Sequence, residues 1–305
     1  MCIVSESQLT KNKISMKNIQ TKAVLVNLNI STWLAAKTDK KVTLEVLASN
    51  SASSDAGNFR KYVLPDGAYR PIQALAQNIR RWHYSMTLPW MEDGTRILPA
   101  ALQMEYADKL REFKTEFEAL VATQFSDTAY SGYVAEAQTK LGNLFNPNDY
   151  PAPDKARAKF GVRVTFLPLP EVGDFRLDLN ADQMAEMRAS LEAQLGDVES
   201  RTKREIYSRL GEKVAHLSAK LTEFDKADAD GVTRRLHGTL IENIREVCRL
   251  IPGLNITGDP EVEKIKNEAL ARLARWEIET IRDDEAVRKE VIHDADAILK
   301  SMGLA

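Results

Sequence analysis

ADQMAEMRASLEAQLGDVESRTKREIYSRLGEKVAHLSAKLTEFDK, residues 181–226, holds no proline, and its apolar residues return every three or four positions. Met184, Met187, Leu191, Leu195 and Val198 lead into Ile206, Leu210, Val214, Leu217, Leu221 and Phe224. That spacing draws one apolar stripe along a helix. At ~1.5 Å per residue the run would span roughly 70 Å. Gly196 and the polar patch Glu199–Glu205 interrupt the stripe, so the stretch is either one bent rod or two helices. A stripe of this length needs a partner, from this chain or another.

Downstream, Asp228 and Asp230 precede a helical pattern over 232–251 that Pro252-Gly253 closes, Pro260 opens another through Arg282, and 285–301 finishes the chain. The region 181–305 therefore reads as long amphipathic helices, with coiled-coil contacts as the simplest use of the stripe. Leu210, Val214, Leu217 and Leu221 are the residues expected at an oligomer or partner interface.

Working back from the helices, Val162, Val164 and Phe166 alternate, as do Phe175, Leu177 and Leu179, so 161–180 reads as a β-hairpin. Gly142 to Asp154 is rich in Asn and Pro and is the clearest linker, with a short helix at 155–160. Residues 21–145 read as a mixed α/β domain. Val24, Val26, Leu28 and Ile30 have strand period, Ser31 or Thr32 could cap a short helix around Trp33, and another follows at 42–47. Ser49–Asn58 is loop by composition, 59–64 is extended, and Pro65-Asp66-Gly67 is a turn. Pro71 suits the first position of a helix through Ser85, and Pro99 opens one to Phe125. Trp90–Leu98 reads as loop with a short strand at 96–98, and 133–141 as helix. Residues 1–20 read as a flexible basic lead-in. The fold class expected is α+β, predominantly α-helical.

The 305 residues carry a net charge of −2, divided as +5 over 1–163 and −7 over the remainder. A mildly basic front and an acidic back favour head-to-tail contacts or an anionic partner for the front, unless both are ordinary solvated surfaces. The two cysteines, Cys2 and Cys248, offer no disulfide framework and fit a reducing compartment. No apolar run approaches the ~18 residues of a membrane span, and the first twenty residues lack a signal peptide's apolar centre, so a cytoplasmic protein is expected.

Chemistry-bearing motifs are sparse. Glu290, His293 and Asp296 share a helix face, but one nitrogen and no cysteine make a poor metal site. Asp225–Gly231 has the look of a calcium loop, yet anchoring Gly231 at the sixth position puts Lys226 first and His237 last, where carboxylates are required. There is no phosphate loop, dinucleotide loop, nucleophile elbow or paired-cysteine motif, so no catalytic residue, cofactor or metal is assigned.

The remaining chemistry is binding. Arg80, Arg81, Tyr84 and Trp90, with Lys155, Arg157, Lys159 and Arg163, interleave cations with aromatics, which is what a single-stranded nucleic acid needs. Trp82 falls on the inward stripe with Leu75 and Ile79 and reads as core. Six cations on one face would give a log–log salt slope of roughly −4. The alternative is that the two clusters lie on different faces and bind nothing.

Leu25–Ser31 with Trp33, the Arg70–Trp90 segment and Gly161–Pro168 together resemble an uncharacterised family of phages and mobile bacterial elements. The resemblance follows the course of most of the chain, and its motifs are structural. Members tend to sit in DNA-metabolism neighbourhoods, often beside a MoxR-like AAA ATPase and a von Willebrand A-domain protein. The resemblance implies a non-enzymatic accessory or adaptor protein in the bacterial host cell, self-assembling or docking on a partner such as the ATPase. It carries over no catalytic residue.

Overall fold

A computed structural model describes residues 21–90, 94–170, 181–229 and 235–304. β1 (Ala23–Ser31) and β2 (Ala36–Thr38) precede α1 (Lys40–Ser49) and β3 (Arg60–Tyr62). α2 (Asp66–Met86) leads into β4 (Leu88–Pro89) and β5 (Thr95–Pro99). Then come α3 (Gln103–Gln124), α4 (Asp127–Leu141), α5 (Pro153–Arg157) and β6 (Gly161–Leu167). The chain continues with α6 (Ala181–Ala229), α7 (Thr239–Leu254), α8 (Pro260–Arg272), α9 (Ile278–Asp283) and α10 (Glu285–Ser301). The fold is α+β and predominantly helical.

One sheet has strand order β4-β5-β1-β6, and β2 pairs antiparallel with β3 in a second, Ala36 opposite Tyr62. The expected hairpin partner of β6, with Phe175, Leu177 and Leu179, lies outside the described residues. So do the lead-in, Cys2, and Asp230 and Gly231 of the calcium-like stretch. Among the described residues, β6 pairs with β1.

Two compact units divide the chain, and neither is continuous. One takes residues up to Val26, Met86–Met104 and Phe166 onward; the other takes Asn27–Ser85 and Glu105–Thr165. Residues 86–104 thus belong with the long helices, although they fall within the 21–145 span expected for the front domain.

In the helical unit, 181–229 is one helix of 49 residues. Its stripe is covered from within the chain, because α7 and α10 pack along it. Leu210, Val214, Leu217 and Leu221 are each 0% exposed. This corrects their expected place at an oligomer or partner interface: sequence period shows that a face is apolar, not whose surface meets it. The side chains of Met184, Met187, Leu191 and Leu195 lie outside the described set. α7 runs on through Pro252 to Leu254, past its expected stop. Gly253 sits against Leu102, whose side-chain carbons would lie 2.7 Å from an added Cβ. Arg288 is 4% exposed, its Nε donating to Asp225 and its Nη1 to the carbonyls of Ile281 and Arg282, which ties α9, α10 and the end of α6.

Cys248 is buried on α7, and burial pushes its thiol up to about 11. Native protein at about pH 8 should therefore resist alkylation at this thiol and react fully only after unfolding. Stoichiometric labelling of folded protein, mapped to Cys248, would contradict that.

The other unit is built around one core, in which Ile72, Leu75 and Ile79 of α2 meet Phe117 and Val121 of α3, Phe125, and Tyr130 of α4. Leu28 and Ile30 of β1, Trp33, Phe160 and Val162 pack against it. The short helix expected at Trp33–Ala35 does not form. Ala35 takes φ +49° and turns the chain into β2, its carbonyl accepting from the Val63 amide at 2.7 Å. The expected turn at 65–67 is largely absorbed into α2, which begins at Asp66, so Pro71 lies inside the helix and not at its first position.

Candidate nucleic-acid interface

The stretch from Gly142 to Asp154 has linker composition, yet charge pins it down. Lys61 on β3 is 6% exposed and its Nζ lies 3.1 Å from Asp39 and 3.0 Å from Asp149. The same ammonium donates to the Leu144 carbonyl at 2.7 Å, and Lys37 donates to Asp149 at 2.9 Å. Burial opposes the Asp149 carboxylate, but hydrogen bonds from Lys37 and Lys61 outweigh it and hold the group below the ordinary carboxylate value. The Lys61 and Val42 hydrogen bonds do the same for Asp39, the side-chain cap of α1. Phe145 stacks on Tyr150 with ring centroids 5.1 Å apart. The segment leading to α5 is thereby anchored, and with it the start of the second basic cluster.

The first cluster ends α2. Trp82 stacks on Tyr106 at 4.6 Å and meets Phe113 edge-on at 5.2 Å, while His83 Nδ1 lies 2.8 Å from the Tyr106 hydroxyl. Both rings face inward, as helix period requires when Ile79 and Leu75 do. Arg80, Arg81 and Tyr84 are left on the outer side, Tyr84 at 50% exposure. Arg80 donates to the Ile30 carbonyl at 3.5 Å and Arg81 to Asn78.

The second cluster is split by its own geometry. Lys155 is exposed on α5, whose Ala156 is buried. Arg157 turns back to the Phe125 carbonyl at 2.8 Å and to Asp127 at 3.3 Å. Lys159 lies over the ring of Trp33, its Nζ 4.5 Å from the centroid. Val162 enters the core beside Leu28 and Ile30, so strand alternation turns Arg163 to the opposite face.

Arg80 and Lys159 therefore both engage the stretch that ends β1 and follows it, Arg80 at Ile30 and Lys159 at Trp33. Arg157 is engaged within its own fold, and Arg163 points elsewhere. Trp90 is 6% exposed, with its carbonyl accepting from Arg201, so its ring is closed to a stacking base. Trp33, which a cap at Ser31 or Thr32 would have placed in a helix, is the aromatic that this stretch supplies. The local signal was an aromatic two residues past a strand of alternating apolar residues.

Pairing distinguishes these cations from the arginines of the long helices. Arg80, Arg81, Lys155, Lys159 and Arg163 pair with no carboxylate among the described residues. In the helical unit Arg201, Arg209, Arg245, Arg272, Arg275 and Arg288 each do. Beside His293, Glu290 and Asp294 pair with Arg275 and Arg272, and Asp296 accepts from Ser218. Among the described residues no group of His, Cys, Asp and Glu could hold a metal ion, and no helix is long and apolar enough to cross a membrane. No family model, curated protein or solved structure matches the chain.

Proposed function

We propose that the Asn27–Ser85 and Glu105–Thr165 unit binds single-stranded nucleic acid through Arg80, Arg81, Lys155 and Lys159. The observation that carries this reading is that, among the described residues, these cations have no carboxylate partner, so a phosphate backbone meets charges that are not already neutralised. Guanidinium and ammonium groups at the surface are the usual phosphate contacts, and counterion release makes their binding salt-dependent. An accessory role in DNA metabolism, implied by the family resemblance, agrees with it.

With Arg157 engaged and Arg163 on the other face, the expected log–log salt slope is about −3, each single-strand contact contributing about −0.7. Fluorescence anisotropy of labelled oligothymidylate at micromolar protein, stepped upward from about 50 mM salt, measures this. Absence of any anisotropy change at the lowest salt would remove the proposal.

A second reading is protein docking, favoured by α1. That helix is held by Thr43 and Leu47 and leaves Leu44 62% and Val46 46% exposed. Isolated apolar residues on a surface are common, so this reading ranks below the first. A Leu44→Glu, Val46→Glu variant that lost a partner while keeping oligonucleotide affinity would reverse the ranking.

A further inference from the structure

Trp33 stands between β1 and β2, half-buried against the core, with a lysine over its ring. Its ring centroid lies 6.3 Å from that of Phe125, tilted by 42°, and Lys159 Nζ sits 4.5 Å over it. The backbone on either side of the lysine is fastened. The Lys159 amide donates to the Ala156 carbonyl at 3.2 Å, and the Phe160 ring lies 4.8 Å from Phe125. The lysine side chain is exposed, so it can leave the ring without moving that backbone.

From this geometry we propose that Trp33 is the stacking platform of the interface and Lys159 its displaceable cover, which makes the ligand class single-stranded. The inference rests on the binding reading above. A cation over a half-buried aromatic ring at the surface is a weak contact, and a nucleobase stacked on the same ring is a stronger one. A base arriving at Trp33 therefore displaces the ammonium. Lys159, still tethered beside the ring and without a carboxylate partner among the described residues, then reaches the phosphate next to that base. Arg80, on the Ile30 carbonyl three residues before the tryptophan, is placed for the neighbouring phosphate. A base inside a duplex has both faces stacked already and cannot make the exchange without leaving its pair.

The test uses the full chain and an iodouracil-substituted oligothymidylate, with binding read by anisotropy and the photo-crosslink mapped by peptide mass. The expected result is a crosslink in the tryptic peptide 23–37, little competition from duplex of equal length, and about tenfold weaker binding by Trp33→Leu. Lys159→Ala should lower the salt slope by about 0.7 while leaving the crosslink at Trp33. If the wild type does not bind, the binding reading fails and this one with it. If it binds but crosslinks only at other peptides, such as that containing Tyr84, the platform is elsewhere and this inference alone is overturned. The crosslink map needs no variant, so it decides even if Trp33→Leu does not fold.

Discussion

Lys61→Met should lower the stability of the Asn27–Ser85 and Glu105–Thr165 unit by ~3 kcal/mol, the low end of the cost of removing one partner from a buried ion pair. The side chain is 6% exposed and bridges Asp39 and Asp149, and among the described residues Asp149 keeps only the Lys37 ion pair once it is gone. The same network makes the wild type acid-sensitive. Both aspartates have folded pKa values below their ordinary ones, so their contribution is complete above the carboxylate range and is lost as pH falls through the depressed values. Lys61 is shifted the other way: burial opposes its charge, but the two aspartates outweigh it and raise the group. Its contribution holds below the ordinary lysine value and is lost only as pH rises through the raised one. Urea unfolding of wild type and variant at neutral pH and at about pH 3 measures both effects. A variant within about 1 kcal/mol of wild type, or an equal acid loss in the two proteins, would contradict the network's role.

Leu217→Asp should unfold the helical unit. Leu217 is completely buried on α6, under the cover of α7 and α10, and an unpaired carboxylate there has neither water nor a cation. Losses above ~4 kcal/mol are expected, enough to exhaust the margin of many domains. Circular dichroism should show lost helicity at any protein concentration. A variant that stayed fully helical while its mass in light scattering fell by half would return the stripe to an intermolecular seam.

These two outcomes mark where sequence period is informative. Repeats of three and four reflect local helix geometry, so the helices at 181–229, 103–124 and 285–301 and the strand at 23–31 were legible at once. Tyr84 outside and Trp82 inside followed from the same rule. Proline was less informative: Pro71 and Pro252 each lie within a helix, because burial of Ile72 and of Leu254 offsets the backbone hydrogen bond each proline omits.

The candidate interface was half legible. That Arg80, Arg81, Lys155 and Lys159 are cations beside aromatics is written in the residues. The direction of Arg157, toward the Phe125 carbonyl, and of Arg163, away from Val162, depends on what lies across space. Trp33 was lost to a helix assignment because the positive φ of Ala35 is imposed by pairing with Val63, 28 positions on.

By itself, the sequence determined the type of most segments, which face of each is apolar, and where net positive charge is concentrated. The tertiary structure alone decided that α6 meets α7 and α10 of its own chain, that residues 86–104 join the helical unit, and that Lys159 covers Trp33. Period and composition are properties of neighbours along the chain. A partner is chosen by total buried area and satisfied charge, which only the folded arrangement of distant segments determines.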